Sequence, residues 1–213
     1  MKRIGILGSG LVGQTLARGL KQHGYDVRIA SRTPAKLAEF STTTGIAAST
    51  PNDVAAWSDG VVLAVLGRAA EEALREAGAD NLAGKVVVDT TNPIAEGAPE
   101  DGVLKFFTTP NSSLMEQLQQ AFPAARFVKA FNSVGAGKMV NPVYASGRPA
   151  MFFCGNDAAA KADVARIIEQ FGWQPADMGT AKAARAIEPL CQLWCILGFR
   201  ENTWTHAFAL LTS

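Results

Sequence analysis

Long apolar runs, histidine, tyrosine and cysteine are all scarce in this sequence of 213 residues. The most apolar stretch, residues 189–199, is interrupted by Gln192 and falls well short of the ~18–20 residues that cross a bilayer. The first apolar run stops within a few residues at Gly8-Ser9-Gly10, too early for the core of a secretory leader. A cytoplasmic protein with no membrane partner is expected. An excess of either charge is missing as well. The 20 Lys and Arg face 19 Asp and Glu, which removes any bulk electrostatic case for nucleic acid or an anionic surface. Three cysteines, Cys154, Cys191 and Cys195, are too few for a disulfide framework. Cys191 and Cys195 are four apart and would share a helix face, but no His or carboxylate cluster accompanies them. They read as small buried apolar residues, and no metal site is expected.

Acid–base chemistry has few candidates. His23 precedes Gly24 at an expected helix end, and His206 falls in an expected C-terminal helix. The residue four beyond Tyr25 is Ile29 and four beyond Tyr144 is Arg148, which excludes the Tyr-x-x-x-Lys pair of short-chain dehydrogenases. Lys138 would suit a hydroxyacid dehydrogenase, but those enzymes add a large helical domain and only 34 residues follow Gly179. A site this poor in acids and bases suits hydride transfer to an acceptor that carries its own electronics, such as a flavin-like ring.

What is present is a strand–turn–helix signature at the start. An apolar run from Ile4 leads into Gly8-Ser9-Gly10-Leu11-Val12-Gly13, then a helical pattern through Leu16, Ala17 and Leu20 that stops at His23-Gly24. Gly8 turns the chain off the strand, Gly10 lets the backbone approach a pyrophosphate, and Gly13 lets the helix pack closely. The free N–H groups of the helix start then face the phosphates. The next strand pattern ends in Ser31-Arg32-Thr33, with Lys36 beyond. A site for NAD places Asp or Glu at that end, to accept from the ribose 2′-hydroxyl. Here Arg32 offers a planar fork, Ser31 and Thr33 offer hydroxyls and Lys36 a point charge, a set that fits a 2′-phosphate. The cofactor expected is NADP(H).

Strand and helix patterns alternate along the rest of the chain. Helices are expected over residues 34–40, 51–57, 69–77, 112–122 and 157–171. Strands are expected over residues 45–48, 60–65, 85–89, 126–131 and 151–154. From Thr180 the pattern is helical, with breaks at Pro189 and Gly198. The fold class is α/β, a doubly wound parallel sheet of the Rossmann NAD(P)-binding kind with a C-terminal helical arm. Residues 1–179 form the NADP-binding domain, and residues 180–213 a segment packing on that domain or on a partner subunit. Ligands of such sheets sit beyond the carboxyl ends of the strands. That rule selects Ala64, Val65 and Leu66 after one strand and Asn92 and Pro93 after the next as cofactor contacts. Thr91, Ile94, Asn132, Ser133 and Val134 are then expected around the acceptor.

These motifs, with Thr91-Asn92-Pro93, Lys129-Ala130-Phe131-Asn132, Cys154-Gly155-Asn156-Asp157 and Arg185-Ala186-Ile187-Glu188-Pro189, resemble the deazaflavin-dependent NADP oxidoreductase family over nearly the whole chain. The resemblance implies hydride transfer between NADPH and an 8-hydroxy-5-deazaflavin coenzyme (coenzyme F420), usually in a homodimer. The 2′-phosphate would lie at Ser31, Arg32 and Lys36, and the rings between the Asn92 and Asn132 loops. Archaeal members tend to carry Pro-Trp where this chain has Leu66-Gly67, which implies a wider or differently shaped ring pocket. The cytosolic domain of STEAP-type ferric reductases is similar too, and it implies FMN, FAD or a ferric chelate reached through flavin as the alternative acceptor. A reading of another class is a non-catalytic NADP(H)-binding redox sensor.

Overall fold

The apolar run after Arg3 becomes β1 (Arg3–Leu7), with Ile4, Ile6 and Leu7 fully buried at the centre of an eight-stranded sheet. The computed structural model describes residues 1–211. After β1 come α1 (Leu11–Gln22), β2 (Asp26–Ala30), α2 (Ala38–Thr44), β3 (Ala47–Ser49), α3 (Pro51–Trp57) and β4 (Gly60–Leu63). Then follow α4 (Ala70–Ala77), the short α5 (Ala79–Leu82), β5 (Val86–Asp89), α6 (Leu114–Ala121) and β6 (Arg126–Lys129). The last elements are β7 (Ala150–Gly155), α7 (Ala158–Gln170), β8 (Gln174–Asp177), α8 (Ala184–Ile187) and α9 (Pro189–Glu201). The strand order is β3-β2-β1-β4-β5-β6-β7-β8. Helices α1, α2 and α7 bury their apolar sides on one face, and α3, α4, α5, α6 and α8 on the other. The near-continuous apolar character of β1, β4 and β5 follows from this cover on both faces.

The doubly wound α/β fold is as expected, with three departures. Strand β7 runs antiparallel to β6. Residues 130–149 joining them hold no crossover α-helix, and an antiparallel pair needs none. Strand β8 pairs parallel with β7 at the sheet edge and escapes the sequence pattern, because Gln-Pro-Ala-Asp shows no apolar alternation. The strand expected from residue 45 begins at Ala47, since Gly45, at φ +65°, closes α2 in the left-handed conformation.

The C-terminal arm departs further. Helix α9 is unbroken: Pro189 is its first residue, where a missing N–H costs nothing. Gly198 lies inside it and makes room for Trp204, since a Cβ there would come within 2.2 Å of that ring. The helix ends at Asn202, in the left-handed region at φ +51°, and the chain then continues without helix or strand. His206 is therefore not helical, and residues 202–211 form a strap whose Phe208 carbonyl accepts from the Ala150 N–H at 2.9 Å. The last two residues of the expected helical arm lie outside the described residues. No helix among the described residues is long and apolar enough to cross a membrane.

Candidate functional site

The glycine turn between β1 and α1 is built by close approaches. Gly8 has φ +133°, and a Cβ on it would sit 2.1 Å from the Ala64 carbonyl oxygen. A Cβ on Gly13 would sit 2.0 Å from the Gly8 carbonyl oxygen, so α1 is pressed against the turn itself. Gly10 is different: a Cβ there meets nothing within 4 Å. Its missing side chain leaves space on the outer side of the loop. Gly10 caps α1, no side chain bonds the free N–H groups of the first turn, and that turn holds no acidic residue. Helices α3, α6 and α7 each have a side-chain cap, from Thr50, Ser113 and Asp157. The positive end of α1 is thus left facing a groove.

The groove has two parts, which share Gly8, Ser9, Arg32, Val65 and Ala69. The smaller, about 180 Å³, lies beside Ala30, Ser31 and Arg32, with Glu72 and Glu76 of α4 on its far wall. Arg32 is exposed and has no ion pair or side-chain hydrogen bond among the described residues. Ser31 Oγ accepts from the Thr33 N–H at 3.1 Å, which holds the turn after β2. Thr33 and Lys36 are near in sequence but do not line the groove.

The larger part, about 560 Å³, runs from Gly10, Leu11 and Val12 past Ala64, Val65 and Leu66 to the ends of β5 and β6. There Asn92 and Asn132 form a reciprocal pair. Asn92 Nδ2 donates to the Asn132 carbonyl at 2.8 Å, and Asn132 Nδ2 donates to Asn92 Oδ1 at 3.0 Å and to the Ile187 carbonyl at 2.9 Å. Two acceptors on Nδ2 fix the Asn132 amide. Asn132 lines the cleft, and its buried Oδ1 has no partner among the described residues. A buried acceptor left unpaired is costly, and a ligand N–H or O–H would relieve it. Val134 also lines the cleft. Thr91, Pro93, Ile94 and Ser133 do not: Thr91 Oγ1 turns back to Asp89 Oδ1 at 2.7 Å, and Ile94 packs in a small cluster with Leu104 and Trp194. The Leu66-Gly67 step has its own reason. A Cβ at Gly67 would lie 1.9 Å from the Asn92 carbonyl oxygen, so this backbone admits no side chain there.

The arm supplies the remaining wall, which sequence reasoning did not place. Trp194, Cys191 and Cys195 of α9 line the cleft, with Phe131 and Met139 opposite. Trp194 is held from behind by the strap: its indole N–H donates to the His206 carbonyl at 2.9 Å, His206 Nε2 donates to the Trp194 carbonyl at 2.9 Å, and the rings stack at 4.9 Å. The two thiols are 4.0 Å apart, and their mutual hydrogen bond raises the Cys191 pKa and lowers that of Cys195. Burial pushes the Cys154 thiol up to about 12, which leaves it inert. Among the described residues no group of three or more His, Cys, Asp or Glu could hold a metal ion.

The most consequential residue missed in the sequence is Lys129, fully buried behind the cleft. Its Nζ lies 2.7 Å from Asp89 Oδ2 and 3.0 Å from Glu188 Oε1 and donates to the Thr91 carbonyl at 2.8 Å. Burial alone would lower its pKa, but the two carboxylates outweigh that and raise it. Nothing in a strand ending Arg-Phe-Val-Lys marks its last residue as buried.

Residues 3–93 match the family model described as NADP oxidoreductase, coenzyme F420-dependent. The crystal structure of a protein proposed to be an F420-dependent NADP reductase, from Arthrobacter sp. FB24, is 36% identical. It superposes over 100% of both chains with a TM-score of 0.92. A hypothetical protein from Sinorhizobium meliloti gives a TM-score of 0.73 at 29% identity, over 86% of this chain and 87% of that one. The metalloreductase STEAP3 of Rattus norvegicus is 31% identical over 88% of this chain and 36% of its own length. The chain thus spans about a third of the curated relatives it matches.

Proposed function

Because the chain belongs to the coenzyme F420-dependent NADP oxidoreductase family, we propose that its groove binds NADPH and that its cleft brings a deazaflavin ring against the nicotinamide. When bound, NADPH supplies a hydride to the ring of the acceptor. The uncapped start of α1 and the space outside Gly10 fit a pyrophosphate, and Arg32, with Ser31, fits a 2′-phosphate at the groove's smaller end. Lys36 and Thr33 would serve from the rim. The unpaired Asn132 Oδ1 fits a carboxamide or ring N–H.

One observation carries the choice of acceptor. Between Gly10 and Trp194 the cleft walls hold no carboxylate, histidine, lysine or tyrosine; Arg32 stands at the far end and the two thiols on α9. The protein therefore orients the two rings and supplies no acid of its own, so the acceptor takes its proton from solvent. A flavin-like ring meets that demand. A second reading, reduction of FMN, FAD or a ferric chelate through flavin, is favoured by the 31% identity to a metalloreductase. NADPH oxidation against deazaflavin, FMN, FAD and ferric citrate separates them. The first reading expects turnover with deazaflavin at least ~10-fold faster than with the others, and equal or faster rates with FAD would overturn it.

Residues 1–179 serve in this reading as the NADP-binding domain and residues 180–213 as a cover for the ring. The outer side of α9 exposes Leu193 and Leu197, four residues apart, and Phe199 meets Trp204 edge-on at 5.2 Å nearby. This apolar face suits a second copy of the chain, and a homodimer is proposed. Light scattering of Leu193→Glu/Leu197→Glu tests it: the variant should be monomeric if the wild type is dimeric.

A further inference from the structure

Three charged side chains are buried under the cleft without touching it. Asp89 and Lys129 are the last residues of β5 and β6 and are paired in register, so both side chains leave the sheet on one side. Glu188 arrives from the junction of α8 and α9. The contacts of the triad lead to Thr91, next to the cleft-lining Asn92, and to the start of α6. Asp89 Oδ1 accepts from the Thr91 N–H at 2.9 Å and from Thr91 Oγ1, while Lys129 Nζ takes the Thr91 carbonyl. Thr91 is thus held at its N–H, its carbonyl and its hydroxyl, one residue before Asn92. Glu188 accepts from the Leu114 N–H at 2.9 Å and the Met115 N–H at 3.0 Å, which ties it to the start of α6. The carbonyl of Ile187, the residue before it, accepts from Asn132.

We propose that Lys129, with Asp89 and Glu188, is the positioning element of the hydride site, locking the β5 and β6 loops and the base of the arm so that the Asn92–Asn132 pair is held rigid where the two rings meet. This rests on reading the cleft as a site of hydride transfer. Stability alone does not explain the triad, since apolar side chains of similar volume commonly stabilise a core as well as buried ions do. Directed bonds provide something apolar packing lacks. The Lys129 ammonium donates to the Thr91 carbonyl and lies within 3.0 Å of both carboxylates, so the loops cannot slide without stretching that bond or one of the two ion pairs. Hydride transfer depends on such offsets, with a misplacement of about 1 Å costing on the order of 10²-fold in rate.

The test compares wild type with Lys129→Met and with the near-isosteric neutral triple variant Asp89→Asn/Lys129→Met/Glu188→Gln. NADPH affinity, read by nicotinamide fluorescence, should stay within about threefold, because the phosphate loop and Arg32 are untouched. Exchange of the Asn92 and Asn132 side-chain amide protons, followed by NMR, should accelerate at least ~10-fold. Single-turnover hydride transfer to deazaflavin should fall ~10- to 100-fold. If Lys129→Met fails to fold, the triple variant decides, as it leaves no unpaired buried charge. A folded triple variant with unchanged amide exchange overturns the proposal. So does one that cannot fold, since the triad would then serve folding rather than the site. A wild type that transfers no hydride to any acceptor overturns the reading of the cleft instead, while amide exchange still judges the positioning role.

Discussion

Two glycines three residues apart, Gly10 and Gly13, do opposite work, and substitution should separate them. At Gly10 a side chain meets no protein atom within 4 Å, so Gly10→Val should fold normally by circular dichroism yet lose NADPH binding, its isopropyl group filling the pyrophosphate's place. At Gly13 a Cβ would lie 2.0 Å from the Gly8 carbonyl oxygen, so Gly13→Ala should lower the melting temperature as well. Arg32 tests the cofactor choice. Charge-assisted hydrogen bonds contribute about 1.5–3 kcal/mol, so NADPH should bind at least ~10-fold more tightly than NADH, and Arg32→Ala should remove most of that difference. Equal affinities of the wild type for the two cofactors, by fluorescence titration, would refute the 2′-phosphate reading.

At the scale of elements, the arm is more than a terminal helix. Its α9 gives the cleft Trp194, and the strap behind α9 holds that indole through His206 and seats Trp204 on Gly198. A chain ending at Gly179 would also remove Glu188 and the Ile187 carbonyl, stripping Lys129 and Asn132 of partners. The cleaner cut ends the chain at Asn202. It frees Trp194 but leaves the triad intact. NADPH affinity should be unchanged and the KM for the acceptor should rise about tenfold; steady-state kinetics with an unchanged acceptor KM would assign the strap to stability alone.

Across the whole molecule, charged groups set the pH limits of folding. The Asp59 carboxylate accepts from the Arg3 and Lys2 N–H groups at 2.9 and 3.0 Å and from the Arg3 guanidinium, which hold its pKa well below the usual carboxylate range. Arg185, hydrogen-bonded at 2.7 Å, lowers that of Glu116. The folded state binds these protons less readily than the unfolded chain. Their stabilisation is complete above the ordinary carboxylate value of about 4 and is lost as pH falls through the depressed folded values. Lys129 has the opposite sign, its pKa raised in the folded state. Its contribution is complete below the ordinary lysine value of about 10.4 and is lost as pH rises through the raised one. Thermal unfolding should therefore show a plateau across neutral pH. Asp59→Asn should flatten the acid limb and leave the alkaline limb unchanged.

Local chemistry made much of this protein legible in its sequence. The Gly8 to Gly13 turn, the missing acid after β2 and the apolar runs of the central strands each encode their role within a few residues, because backbone freedom, charge and two-sided burial leave marks in residue type. Asn92 and Asn132 were reachable by the strand-end rule, although not the amide pair they form 40 positions apart. Tertiary structure decided the rest. The antiparallel turn of β7, the edge strand β8, the unbroken α9 and the strap depend on what each segment packs against. Lys129, Asp89 and Glu188 read singly as ordinary polar residues. Only the sheet register and the return of the arm bring their charges together, and a buried lysine is tolerable only where distant segments supply its acceptors.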